Sequence, residues 1–334
     1  MALRGLTDTI VPPRGYRGRK GALHLHNKKN FKTSIGGQAL IEGVMMKGVS
    51  QSCMAVRTPS GEIDVETWDN PKAKWYKKVP IIRGVINFVV MLIEGYRTLM
   101  KSAEKAGFDE AESESKFDQW LSKVFGEKLM GVISVVALIL GVALALLLFM
   151  VIPAFLTKFL RPMIGSQIAL SAIEGVIKIA IFVGYLALVS RMEDIHRVFE
   201  YHGAEHKTIF CYEHGNEMTV ENILKEKRFH PRCGTSFLLI VLVLSILVFS
   251  VVTWDSLVLR VVLKFAFLPL VVGVAYEIIK FAGRHDNPFT RAISAPGMWL
   301  QRLTTAEPDA SQVEVALASF LPVLPKDESE DDRW

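Results

Sequence analysis

The sequence predicts a mainly α-helical, polytopic membrane protein with about four transmembrane helices and a small cytoplasmic α+β part containing a β-hairpin. Three observations carry that prediction. Half of the 334 residues are hydrophobic and the mean hydropathy is positive, at +0.29. Long runs contain no charge, the clearest being 129–157, and about 20 apolar residues suffice to cross a bilayer. Between the apolar runs lie polar stretches with strand-like alternation or clustered histidines.

The net charge of +5 and the pI near 9.0 suit basic loops at a membrane and give no argument for nucleic acid. Cys53, Cys211 and Cys233 are odd in number and irregular in spacing, which excludes a disulfide framework and fits a reduced, cytoplasmic setting.

Residues 1–33 read as a disordered basic tail, with eight Lys or Arg and a single acid, Asp8, among residues 1–32. No apolar core of a secretory signal is present in that stretch, and the charge suits anionic headgroups. Residues 34–128 form a cytoplasmic segment with a Gly-rich stretch, a β-hairpin, an interfacial helix and a charged linker. Four glycines between Gly36 and Gly48 predict tight turns or close backbone approach. The runs 53–58 and 62–67 flank Pro59-Ser60-Gly61 and predict a β-hairpin. The apolar run 79–106 is broken by Arg83, Glu94 and Arg97, too closely for a span, and predicts an interfacial or buried helix. Residues 108–128 read as a charged helical linker.

The first transmembrane hairpin is expected at 129–190, with Pro153 ending its first helix and Glu174 and Lys178 one turn apart in its second. A cytoplasmic His/Cys-rich loop follows at 191–236. The second transmembrane hairpin is expected at 237–280, and a cytoplasmic C-terminal region with two short helices and an acidic tail at 281–334. Lys and Arg concentrate in the N-terminal segment and the 191–236 loop. The positive-inside rule therefore puts both termini and that loop in the cytoplasm.

The loop is where the chemistry concentrates. Five of the eight histidines lie between His196 and His230. His202-Gly-Ala-Glu205-His206 is an H-x-x-E-H pattern, which on a helix projects both imidazoles from one face as two ligands to one ion. Glu205 then stands beside them as a candidate catalytic base, the residue order of inverted zinc peptidases. Two shells are consistent with the sequence. His202, His206 and Glu277 leave an open position and are catalytic in type; His202, His206, His230 and Cys233 close a tetrahedron and are structural in type. A divalent metal, zinc by default for such donors, is the expected cofactor.

Four blocks then carry a family resemblance: Gly36–Met46 (GGQALIEGVMM), Tyr201–Thr208 (YHGAEHKT), His230–Phe237 (HPRCGTSF) and Pro296–Pro308 (PGMWLQRLTTAEP). They resemble the signature blocks of the DUF1385 family of YqhQ-like proteins, over residues from about 34 to 320. The resemblance implies a multi-pass protein of the bacterial cell membrane, labelled a metal-dependent enzyme on the strength of the same histidines. The expectation is thus an integral membrane protein with a metal site on its cytoplasmic face, acting as a metal-dependent hydrolase. The alternative is a non-enzymatic membrane assembly, scaffold or transport factor. The expected partners are the lipid bilayer and other membrane proteins.

Overall fold

The structure is a computed structural model and describes residues 31–71, 75–107, 136, 139–251, 257–285, 287–325 and 332. Four strands, β1 Gly36–Leu40, β2 Gly43–Lys47, β3 Gln51–Arg57 and β4 Ile63–Asp69, form an antiparallel meander in the order β1-β2-β3-β4. The hairpin expected at 53–67 is the β3–β4 pair, with Arg57 opposite Ile63 and Gly61 in the loop at a φ of 86°. The Gly-rich stretch is itself a hairpin rather than a set of turns. Leu40 pairs with Gly43 across Ile41 and Glu42, and Glu42 takes a left-handed φ of 50° to close it.

β3 is buried along both faces, which its continuous apolar run Cys53-Met54-Ala55-Val56 requires. One face, with Met46, Cys53 and Ala55, packs on Tyr201 and Ala204 of α4 (Glu193–Glu213) and on Val313, Ala316 and Phe320 of α9 (Ala310–Phe320). The other face, with Leu40, Met45, Met54 and Val56, packs on Leu99 and Ala106 at the end of α1 (Ile82–Lys105). The sheet is therefore the middle of three layers.

The remaining helices are α2 (Ile139–Leu160), α3 (Gln167–Val189), α5 (Val220–Leu224), α6 (Gly234–Val251), α7 (Leu257–Arg284) and α8 (Pro288–Thr304). Among the described residues, three stretches are long and apolar enough to cross a membrane: Ile139–Leu160, Ala169–Val189 and Phe265–Arg284. About four were expected; the fourth, α6, is uncharged but its described apolar stretch, Gly234–Phe249, is shorter. Pro153 does not end the first apolar helix, which runs on to Leu160. A π-helical turn at Leu147–Val151 precedes the proline, and such a wider turn accommodates the ring and its missing N–H. The 108–128 linker and most of both tails lie outside the described residues. Within the acidic tail, Asp332 is buried, contrary to the expected disorder. Its carboxylate accepts from Thr33 Oγ1 at 3.0 Å and from Tyr212 Oη at 3.1 Å, tying Asp332 to the strand-entry segment and to α4.

Candidate metal centre

α4 is the helix on which the site is built. Glu193 and Asp194 place acids in its first turn, where they offset the positive end of the helix dipole, and Gly215 at a φ of 67° stops it just past its C-terminus. Gly203 in its middle is required by packing. A Cβ there would stand 2.0 Å from the Ala306 carbonyl oxygen, so the segment after α8 lies directly on the helix backbone.

That segment orients the first imidazole. His202 Nδ1 lies 2.7 Å from the Thr304 carbonyl oxygen, and His206 Nδ1 lies 2.5 Å from the Arg228 carbonyl oxygen. A carbonyl only accepts, so each Nδ1 carries a proton and each Nε2 is left as the free donor atom. His202 Nε2 then faces Cys233 Sγ at 3.2 Å, and ligand atoms of His202, His206 and Cys233 all lie within 4.8 Å of one another. Nitrogen and sulfur ligands on one tetrahedral zinc sit roughly 3.5 Å apart, given bonds of about 2.1 and 2.3 Å. The His202–Cys233 pair lies within a few tenths of an ångström of that spacing, and His206 lies within 4.8 Å of both.

Cys233 immediately precedes α6, and the Thr235 N–H at 3.5 Å points at its sulfur. Burial pushes the Cys233 thiol up, but the two imidazoles outweigh it and hold the group well below the ordinary thiol value, as thiolate. The same pairing acts in reverse on His202. Burial lowers its basicity, yet the Cys233 sulfur more than compensates and raises it to about 9. Cys233 and His202 thus form a thiolate–imidazolium pair, and a cation bound there would displace the proton on His202 Nε2.

The loop carrying Cys233 is held by α8. Gln301, fully buried, accepts from the His230 N–H at 2.7 Å and donates to the His230 carbonyl at 2.7 Å. A Cβ on Gly297 would meet Ser236 Oγ at 2.3 Å, so α8 and the start of α6 are in close contact.

Glu205 is buried beside this group, between α4 and β1. Its carboxylate accepts from the Gly37 N–H, and a Cβ on Gly37 would sit 2.9 Å from its Cδ, so only glycine leaves room there. Its Oε2 is buried and has no hydrogen-bond partner among the described residues. Burial pushes its pKa above the usual carboxylate range, more than the imidazoles of His202 and His206 pull it down.

Two of the expected ligands are not brought into the group. Glu277 on α7 is engaged by Arg83 of α1, whose Nε donates at 2.7 Å, and by the Ile81 N–H at 3.3 Å. An adjacent guanidinium on α1 takes up the acid that the sequence offered to the metal. His230 turns its ring to Glu213, at 3.5 Å, in a buried cluster with Arg232, with its ring tilted against that of His206 at a centroid distance of 5.6 Å. The triad therefore keeps three members of the closed shell, His202, His206 and Cys233, and leaves out His230 and the open-shell Glu277.

Comparison with known proteins follows the same residues. The family model described as "Protein of unknown function (DUF1385)" matches residues 79–326. The chain belongs to the DUF1385 family. A relative, "Uncharacterized protein YqhQ" of Bacillus subtilis (strain 168), is 36% identical over 302 residues, covering 89% of this chain and 94% of the relative. No solved structure matches. The DUF1385 match takes in His202, Glu205, His206, Cys233, Thr304 and Gln301, but begins after the sheet, so the Gly36–Met46 block lies outside it.

Thr304, Arg228 and Gln301 went unassigned from sequence. The first two act through backbone carbonyls, which any residue type supplies, and left no signal. Gln301 lies inside the Pro296–Pro308 block, and a lone amide on an amphipathic helix was the available hint.

Proposed function

We propose that this DUF1385 chain is a four-span membrane protein that holds a divalent metal, zinc by donor type, on His202, His206 and Cys233, and uses it in hydrolysis. The observation that carries the reading is the pair of Nδ1–H bonds to the Thr304 and Arg228 carbonyls, which aim two Nε2 atoms toward one thiolate. Imidazole and thiolate donors favour zinc over magnesium or calcium. Three protein ligands leave a fourth position open, the arrangement of catalytic centres.

A bound ion supplies Lewis acidity, lowering the pKa of a coordinated water toward neutral and polarising a carbonyl or phosphoryl oxygen. Glu205 is placed to take the proton at Oε2, the buried oxygen with no partner. Gly37 holds the other side of that carboxylate, so it cannot swing freely away. His202 and His206 are held in orientation by their carbonyl partners, with Nε2 toward the ion.

Membrane crossing is supported by packing as well as by composition. α4 and α9 share one core with the sheet, so an even number of crossings separates them in the chain. α7 alone would leave α9 on the opposite side, and α6 supplies the second crossing. Its 18 residues rise about 27 Å, close to the apolar thickness of a bilayer of about 30 Å. The Lys/Arg bias puts this shared core, and the metal site in it, on the cytoplasmic side of a bacterial cell membrane.

Burial of His206 and Cys233 favours a second reading, a non-enzymatic assembly or scaffold factor in which the metal staples α4 to α6. Cobalt substitution of the detergent-purified protein separates the two. The hydrolase reading expects about one equivalent of metal, lost in the H202A/H206A variant, with a sulfur-to-cobalt band lost in C233S. It further expects azide to perturb the visible spectrum through the open position. No stoichiometric metal overturns both readings, and a spectrum indifferent to azide overturns the enzyme.

A further inference from the structure

Helix α1 is amphipathic the wrong way round for water. Its buried positions are Gly84, Gly95, Thr98 and Ser102, all small. Its large apolar side chains Val89, Leu92, Ile93, Tyr96 and Met100 are exposed among the described residues, at 46–67%. In a water-soluble protein the apolar face of a helix turns inward and the polar face outward.

Most charged side chains of α1 turn to the protein: Arg83 pairs with Glu277, Glu94 with Lys47, Lys101 with Glu66 and Lys105 with Asp64. Arg97 and Glu104 are exposed in the C-terminal part of the helix, at the edge of the outer face, while its N-terminal part from Val85 to Ile93 presents a strip without charge.

The strip is continuous with a span. The N-terminal turn of α1 packs on Phe265–Arg284, the apolar stretch of α7, through glycines on both sides. A Cβ on Gly84 would stand 2.7 Å from Tyr276 Cβ, and one on Gly273 would stand 2.8 Å from the Ile81 carbonyl oxygen. Small residues at a close helix crossing are the packing device of helices in lipid, where apolar surface gains nothing by turning inward. Phe88 adds a ring contact to Phe237 of α6 at 5.6 Å. Just before α1, Trp75 is 72% exposed, in keeping with an aromatic residue at a headgroup boundary.

We propose that α1 lies in the leaflet on the sheet's side of the membrane, with Val89, Leu92, Ile93, Tyr96 and Met100 against phospholipid acyl chains. α1 thereby docks the sheet, and the metal centre behind it, onto the membrane surface. A substrate of the centre is then met at the lipid interface. The docking inference rests on α7 crossing the membrane and is independent of the metal.

The test uses the full chain in nanodiscs of phosphatidylcholine and phosphatidylglycerol, with nitroxides at V89C and I93C; all three native cysteines are buried. L268C in α7 is the lipid control and E221C, on the exposed face of α5, the water control. Both α1 labels are expected to collide with oxygen over a water-soluble nickel chelate in the same ratio as L268C. A nickel ratio matching E221C overturns the proposal in favour of water. Low collision with both reagents overturns it in favour of a protein cover, whether another segment of this chain or a second copy. Should L268C itself behave like E221C, the membrane reading of α7 fails, an outcome separate from either.

Discussion

The carbonyl oxygen of Thr304, in the last turn of α8, lies 2.7 Å from Nδ1 of His202 on α4. That bond sets the tautomer of the imidazole facing Cys233, and Gly203 makes it possible by letting Ala306 lie against the helix. Gly203→Ala places a Cβ 2.0 Å from the Ala306 carbonyl oxygen, so the 304–306 backbone must move away and carry the Thr304 carbonyl with it. Metal affinity is expected to fall roughly 10–100-fold, the usual cost of losing a partner that orients a ligand. Chelator competition measures it, with Gly184→Ala, which meets nothing within 4 Å, as the control. An unchanged affinity would show that the carbonyl does not orient the ligand.

Gln301 carries a second prediction. Its amide satisfies both the N–H and the carbonyl of His230, at 2.7 Å each, in a fully buried place. Gln301→Leu strands both groups, at a cost of about 1–3 kcal/mol each. Gln301→Glu keeps the acceptor for the N–H but sets a second acceptor against the carbonyl, and is expected to be no better than leucine. Thermal unfolding in detergent should show both variants well below wild type, and limited proteolysis should cut between 225 and 232. A Gln301→Leu protein as stable as wild type would sink the idea.

Much of the centre was legible because helix geometry is local. His202, Glu205 and His206 needed only the 3.6-residue period to be placed together, and Cys233 needed only its donor chemistry. Glu277 failed for a non-local reason, since its partner Arg83 lies 194 residues away in sequence. The β3–β4 hairpin was legible from alternation around Pro59-Ser60-Gly61. β1 and β2 were not, because their glycines serve close contacts, Gly37 with Glu205 and Gly43 with the Ala55 carbonyl, that no single strand pattern encodes. The inverted face of α1 was hidden for a related reason. Composition shows that a helix is apolar, but only packing shows which side is left outside.

Acid should destabilise the protein through His230. Burial holds this imidazole at about 4, against the opposing pull of Glu213, whereas an unfolded histidine titrates near 6.5. The folded state therefore binds the proton less readily. Stability is flat above about pH 6.5 and falls as the pH drops toward 4, by up to about 3 kcal/mol for this group at 1.36 kcal/mol per unit. Glu213 acts with the same sign at lower pH. Burial raises its pKa, but His230 and Arg232 outweigh that and depress it, so its contribution is lost as it protonates. His230→Phe keeps a ring against Phe210, 4.6 Å away, and removes the titration. Its melting temperature is expected to change less than that of wild type between pH 7 and 5. Parallel curves for the two proteins would refute the assignment.

Glu42 reverses the usual order of alanine and glycine. It closes the β1–β2 turn at a φ of 50°, a conformation that costs a side-chain-bearing residue about 1–2 kcal/mol. Its carboxylate accepts from Arg197, at 2.6 Å for one of two bonds, and from Tyr201 Oη at 3.1 Å, so it ties the turn to α4 at the residues just ahead of the candidate ligand His202. Arg197 is nearly half exposed, and water screens the pair to about 1 kcal/mol or less. Glu42→Ala loses the pair and keeps the strain, whereas Glu42→Gly loses the pair and removes it. Glycine is therefore expected to be the more stable of the two by about 1 kcal/mol, opposite to their order inside a regular strand. Denaturant titration of the two variants decides the point. Alanine at or above glycine would mean that residue 42 does not hold a left-handed backbone, and that the turn is set by the Arg197 contact alone.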